Sequence, residues 1–367
     1  MEQNQLKAIV SQFDINGTIS EIKPLGEGLI NDTYKVITAE AGEPDYVLQR
    51  VNNNVFPDVD MVMRNIDAVT SHIRKKLELA GEDDIERKVL RFIPAKADGK
   101  LYTLLDGQYW RLMVFIPDAV TKQAVDPESS RDAGRAFGRF QAMLADIPVQ
   151  LGETIKDFHN MEFRLQQLRE VVAKDPVGRV SEPKVQTLLQ EIDARAEEMC
   201  KAERMGREGI LPKRVCHCDT KVNNMMFNKE GQVLCVIDLD TVMPNFIFSD
   251  YGDFLRTGAN FVAEDNADMT AVGFNMEIFK AFTEGYLESA RSFLLPVEVE
   301  NLPYAAALFP YMQCVRFLWD YLSGDKYWKC QYLEHNFVRA NNQFHLLKSI
   351  ESNYPKMEAF IGECLAK

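Results

Sequence analysis

Residues 214–228, "RVCHCDTKVNNMMFN", bring two cysteines, a histidine, an aspartate, a lysine and two asparagines into one short stretch. Three chemistries suit such a set: a metal site, a nucleophilic thiol, or an acid–base centre. A metal site built on Cys216, His217 and Cys218 needs further ligands at a tight-binding spacing, and the chain has no C-x-x-C and no H-x3-H. A nucleophilic thiol needs a base oriented by a third group, and nothing in the sequence marks one. Both thiols therefore read as small apolar packing groups.

What remains is His217-x-Asp219-x-x-x-x-Asn224. This is the spacing of a phosphoryl-transfer loop, in which the aspartate accepts the proton of an attacking hydroxyl and the asparagine holds magnesium. A neutral amide suits the second position, because another carboxylate there would raise the pKa of the first. The next residues extend the set. Residues 225–227 and 233–237 read as two strands joined by the turn "NKEG", which returns Asp238 of "VIDLD" to the hairpin end at Asn224. An amide oxygen and the carboxylates of Asp238 and Asp240 are hard ligands of the kind magnesium takes.

Upstream, "GEGLIN" sets Gly26 and Gly28 between two strands, where backbone N–H groups can approach a phosphate. Two glycines in a hairpin also make an ordinary turn, and Asn31 stands where a G-x-G-x-x-G loop would have its third glycine. No G-x-x-x-x-G-K-[ST] occurs, which excludes a P-loop enzyme.

Several elements must hold these residues. Residues 2–12 pattern as a short helix, "EIKPLGEGLINDTYKVITAE" as strand, turn and strand, and "DYVLQRVN" as a third strand. Val62, Ile66, Val69, Ile73 and Leu77 form one helical face, with Gly81 as the stop. "KVLRFIPA", "KLYTLLDG" and "QYWRLMVFI" read as three more strands. From Asp126 helices dominate, over 127–145, 160–173, 183–205, 265–290, 300–322 and 334–361. The expected fold is thus α+β: a small β-rich N-terminal lobe with one long helix, residues 1–117, and a larger mainly helical lobe, residues 118–367.

Together these motifs resemble the aminoglycoside phosphotransferase and choline kinase superfamily. "GEGLINDTY", "YVLQRVN", "CHCDTKVNNMMF", "VIDLDTVMPN", "DYGDFLRTGAN" and "RFLWDYLSGDKYW" are most similar to the N-acetylhexosamine 1-kinases, from about residue 20 to 345. The resemblance implies a bilobal, protein-kinase-like fold and transfer of the ATP γ-phosphate to the anomeric hydroxyl of N-acetylglucosamine or N-acetylgalactosamine. It implies Asp219 as the base, Asn224 and Asp238 as magnesium ligands, and Gly26, Gly28 and Asn31 in the phosphate-covering loop. His217 and Asp250 would support the catalytic loop. Protein kinases carry a phosphate-binding lysine on the third strand. Here Gln49 replaces it or Arg50 acts from the next position, and register favours Gln49 because adjacent strand residues face opposite sides. Arg256, Arg316 and Asp320 are candidates for the sugar pocket, although Arg316 and Asp320 also have the spacing of an ordinary i,i+4 ion pair.

Composition narrows the partners. A net charge of −13 argues against a general nucleic-acid binder. No apolar run reaches membrane-spanning length, and the start has no signal-peptide pattern, so the cytoplasm is expected. Seven scattered cysteines fit reduced thiols. Choline, homoserine, methylthioribose or an aminoglycoside remain alternative acceptors. A pseudokinase, or a sugar-binding protein without a nucleotide site, remains an alternative class.

Overall fold

The computed structural model describes residues 2–26 and 31–366 and divides into two compact units. The first comprises Met1–Thr121, Asp146–Lys156 and Met225–Met243, the second Lys122–Ala145, Asp157–Asn224 and Pro244–Lys367.

The first unit is built on an antiparallel sheet of β1 (Ile19–Pro24), β2 (Asp32–Thr38), β3 (Tyr46–Val51), β4 (Thr103–Leu105) and β5 (Gln108–Val114), in the order β1-β2-β3-β5-β4. Side chains alternate between its faces. Val36, Tyr46, Leu48, Trp110 and Leu112 meet Leu6, Ile9 and Val10 of α1 (Gln3–Val10) in one core. The opposite face carries Gln49 and Arg111, which are direct partners across β3 and β5. In α2 (Val59–Leu79), Val62, Ile66, Val69, Ile73 and Leu77 are all buried, as their spacing requires, and Asp58 caps the first turn through the Met61 N–H at 2.9 Å.

Residues 88–95 are not the expected strand. A helical turn, α3 (Ile85–Lys88), runs into them, and Pro94 lacks an N–H for a ladder. They make only scattered bonds, such as Ile93 N–H to the Leu112 carbonyl at 2.8 Å. The hairpin Met225–Phe227/Val233–Val236 forms in the required register, with Met225 opposite Val236.

The second unit is mainly helical: α4 (Pro127–Leu144), α5 (Met161–Lys174), α6 (Pro183–Met199), α7 (Lys201–Arg207), α8 (Phe248–Gly258), α9 (Met276–Ala290), α10 (Pro296–Glu300), α11 (Leu302–Ser323) and α12 (His335–Ala366). The span 183–205 breaks at Cys200 into two helices. The span 265–290 begins only at Met276, where Asn275 accepts the Glu277 and Ile278 N–H groups. Glycines let these helices approach very closely. A Cβ on Gly134 of α4 would lie 2.1 Å from the Phe282 carbonyl oxygen of α9, and one on Gly285 only 2.0 Å from that of Arg131. Gly252 seats α8 on α11 in the same way, 2.3 Å from the Ala305 oxygen.

Candidate active site

In the helical unit, the strand Arg214–Cys216 leads into a loop held from beneath by α8. Asp250 is fully buried. Its Oδ2 accepts the His217 N–H at 3.0 Å and the Gln141 side-chain amide at 2.8 Å, and its Oδ1 accepts the Cys218 N–H at 2.8 Å. Burial pushes this carboxyl up from its ordinary value, against the pull of His217 and these donors. Asp253, one helical turn on, accepts the Thr220 N–H at 3.0 Å. His217 lies edge-on between Phe137 and Phe140, and its Nδ1 accepts the Asp219 N–H at 3.2 Å.

The loop presents Asp219. Lys221 Nζ straddles both its carboxylate oxygens, at 2.9 Å and 3.1 Å. Burial is the largest influence and opposes the charged form, but Lys221, with smaller contributions from His217 and Arg256, outweighs it and holds the Asp219 carboxyl below its ordinary range. Asn224 Nδ2 donates to the Asp219 carbonyl at 2.8 Å and to its carboxylate at 3.1 Å. Cys216 and Cys218 are buried, and burial drives both thiols far above their ordinary pKa. They are packing groups rather than nucleophiles.

In the sheet unit, Gln49 neither stands alone nor faces Arg50's side. Its amide donates to Thr33 Oγ1 at 3.1 Å and its oxygen accepts Arg111 Nε at 3.0 Å. Arg50 pairs with Asp32 and reaches Gln108. Asp238 is exposed and left-handed, φ +59°, at the entry to the 3-10 turn Leu239–Thr241. Asp240 is buried against Arg111, and Asn31 donates to its Oδ2 at 2.8 Å. Gly26 has φ +71°, a conformation that favours glycine, and among the described residues no atom lies within 4 Å of where a Cβ would stand. Gly28 lies outside the described residues.

The sequence pattern of the phosphotransferase enzyme family matches residues 21–282, from within the first strand of the sheet into α9. The chain belongs to the phosphotransferase enzyme family. Solved structures share the fold. An aminoglycoside phosphotransferase from Alicyclobacillus acidocaldarius matches with TM-score 0.58 at 14% identity, over 98% of this chain and 95% of that one. A choline/ethanolamine kinase family protein from Mesorhizobium loti gives 0.61 at 15% identity, over 98% and 99%. An amicoumacin kinase solved with AMP-PNP and Ca2+ gives 0.59 at 13% identity, over 96% and 94%. The fold of this phosphotransferase is thus kinase-like, with an antiparallel N-terminal sheet and a mainly helical C-terminal part. Among its described residues no helix is long and apolar enough to cross a membrane.

The remaining sequence candidates separate. Arg256 is buried and committed to Asp253 at 3.1 Å and Glu264 at 2.5 Å. Asp320 makes no ion pair with Arg316. Its carboxylate accepts the N–H groups of Lys326, Tyr327 and Trp328 at 2.9, 2.9 and 3.1 Å, and the Asn336 amide at 2.8 Å. Arg316 instead meets Gln313 Oε1 at 2.7 Å, the Tyr327 side chain, and the rings of Trp328 and Phe158 at 5.2 and 5.3 Å. Among the described residues no carboxylate lies within ion-pair distance of it. Burial lowers its pKa from the usual arginine value. Arg164 beside it is brought down to about 9 by burial and by the Arg316 charge. His159 is pushed well below its ordinary value by burial and by these arginines, which keeps it neutral.

Sequence reasoning missed Lys221, Asp253 and Arg111. Asp253 was accessible from its i,i+3 spacing to Asp250. Arg111 was visible as the one charge in the otherwise apolar strand core "WRLMV", on the strand that pairs with Gln49.

Proposed function

We propose that this phosphotransferase transfers the γ-phosphoryl group of ATP to the anomeric hydroxyl of N-acetylglucosamine or N-acetylgalactosamine. The observation that carries the choice of acceptor is Arg316. A partly buried guanidinium without a carboxylate partner repels choline, ethanolamine or a protonated aminoglycoside. It favours a neutral acceptor bearing a carbonyl oxygen, such as an acetamido group, because a hydrogen bond from a charged donor is worth about 1.5–3 kcal/mol. Homoserine and methylthioribose are less well served, since neither offers an amide carbonyl to that donor.

The reaction is an in-line displacement. The sugar oxygen bonds to the γ-phosphorus, the bond to the bridging oxygen breaks, ADP leaves, and the hydroxyl proton passes to Asp219. Lys221 keeps Asp219 in its basic form, and Asn224 fixes that carboxylate through its amide N–H. Asp250 and His217 hold the loop backbone. Asp320 positions the 326–328 segment, and Arg256 braces Asp253 rather than meeting sugar. Gly26 and Gly28 serve the triphosphate through backbone N–H groups, with Gln49 on the sheet. By the sequence motif, Asn224 and Asp238 would be the residues to hold a magnesium ion, which would supply positive charge to offset that of the β- and γ-phosphates. Most of the rate then comes from positioning and electrostatics. Use of ATP suits the cytoplasm.

Phosphorus NMR after incubation with Mg-ATP and each sugar tests the reading. A new anomeric-phosphate doublet, absent for Asp219→Asn, is the expected result and ranks the two epimers. ATP consumed with choline, homoserine or an aminoglycoside, but not with either sugar, rejects the acceptor and keeps the base. No turnover with any acceptor favours a pseudokinase.

A further inference from the structure

Within the sheet unit, one buried carboxylate joins three elements whose sequence separation hides the connection. Asp240 is 2% exposed and pairs with Arg111, which is also 2% exposed and whose Nε reaches Gln49 at 3.0 Å. Its other oxygen takes the Asn31 amide at 2.8 Å, while Asn31 Oδ1 accepts the Asn52 N–H at 3.0 Å. Asn31 is the first described residue after the glycine segment, and Asn52 follows directly on β3. Asp240 stands two residues beyond Asp238, inside the turn Leu239–Thr241 that sets the direction of Asp238. The turn's exit is tied down as well. Asn65 of α2 donates to the Val242 carbonyl at 2.9 Å and to that of Gly152 at 2.8 Å.

We propose that Arg111, Asp240 and Asn31 form a positioning device that fixes the Asp238 turn and the end of the glycine loop on one sheet, and thereby sets the affinity for the magnesium–nucleotide complex. A buried ion pair is poor evidence of stabilisation, since apolar residues of similar volume commonly do as well. What such a pair offers is a unique geometry. Protein kinases fix the nucleotide with a third-strand lysine paired to a glutamate on the long helix. Here the third strand has Gln49, and α2 offers Arg111 the Met63 sulfur at 3.8 Å instead of a carboxylate. Among the described residues the carboxylate partner of Arg111 is Asp240, so the cation moves to the neighbouring strand and its anion to the metal turn. Arg111 and Asp240 are committed to each other. They act through Asp238, Gln49 and the loop.

The inference rests on the kinase reading, and binding measurements on the full chain separate the two. Calorimetric titration with Mg-ATP, and with ATP in EDTA, would compare the wild type with Asn31→Ala, Asp240→Asn and the double variant Arg111→Met/Asp240→Leu. The double variant removes the pair without leaving a buried charge, so it should stay folded, its melting temperature lowered by no more than the lost Asn31 and Gln49 hydrogen bonds account for. Loss of a residue that orients a metal ligand costs roughly 10–100-fold in metal affinity. Mg-ATP binding should weaken by that factor in all three, metal-free ATP binding should change far less, and the KM of the acceptor should hold. A folded double variant that binds Mg-ATP as tightly as the wild type would overturn the inference and leave the kinase reading intact. Should the double variant fail to fold, Asn31→Ala, which removes no charge, decides by the same titration. A wild type that binds no Mg-ATP overturns both.

Discussion

Replacing Asp250 by Asn tests whether the catalytic loop is held from beneath. Asp250 accepts three N–H groups through two oxygens, and its neighbours offer the carboxylate donors only. An amide can orient its oxygen toward His217 and Gln141, but its NH2 then faces the Cys218 N–H across 2.8 Å. One charge-assisted bond is lost, at about 1.5–3 kcal/mol, and two others weaken to neutral strength, at about 1 kcal/mol each. Relief from burying a charge returns part of this, so the net loss is about 2–4 kcal/mol. At roughly 2–4 °C per kcal/mol for a unit of this size, Tm should fall by about 4–16 °C. Displacement of Asp219 by even 1 Å costs on the order of 10²-fold in rate, so kcat at a temperature well below the new Tm should drop at least tenfold. Scanning calorimetry and initial-rate kinetics measure both. A variant that melts within 1 °C of the wild type and keeps kcat within about twofold would refute the idea that this carboxylate shapes the loop.

Three further outcomes are expected. Asp219→Asn should lose about 10²–10⁴-fold in kcat with little change in either KM, the scale of a general base; normal turnover would remove Asp219 from that role. Lys221→Met should move the acid limb of the pH–rate profile upward. Asp219 is held below its ordinary range, so its base form survives as pH falls, and losing the ammonium returns its proton earlier. An unmoved limb would mean that another group titrates there. Arg316→Gln should raise the KM of the sugar by roughly 10–100-fold, the worth of one charge-assisted hydrogen bond, while the KM of ATP stays constant; equal changes in both would place Arg316 outside the acceptor site.

Much of this was legible from local spacing. The H-x-D-x4-N loop, the hairpin behind it and the buried stripe of α2 each depend on residues a few positions apart, where backbone geometry dictates the outcome. Arg111 and Asp240 are separated by 129 positions, and no local period announces such a pair. The Arg316–Asp320 spacing suggested an ion pair, yet three backbone N–H groups of a loop not apparent from the sequence claim the aspartate. Residues 88–95 had the apolar character of a strand, but the preceding helical turn and Pro94 prevented one. The α9 start was misplaced because its cap, Asn275, sits within a run that also patterns as helix.

The glycine contacts have a consequence for how this protein can change. Where α4 meets α9, the carbonyl of one helix occupies the space a methyl group would need on the other. Gln141, on the same α4, supports Asp250 and accepts the Tyr286 hydroxyl of α9 at 2.6 Å, so the residue behind the loop lies beside these glycine contacts. Such a seam cannot be tuned by small steps, because the first added carbon already collides with backbone. If Arg316 meets the acceptor as proposed, acceptor preference has more room to change on the α11 side, around Arg316 and the segment Asp320 holds, where exchanging one side chain changes the chemistry offered without touching the glycine contacts.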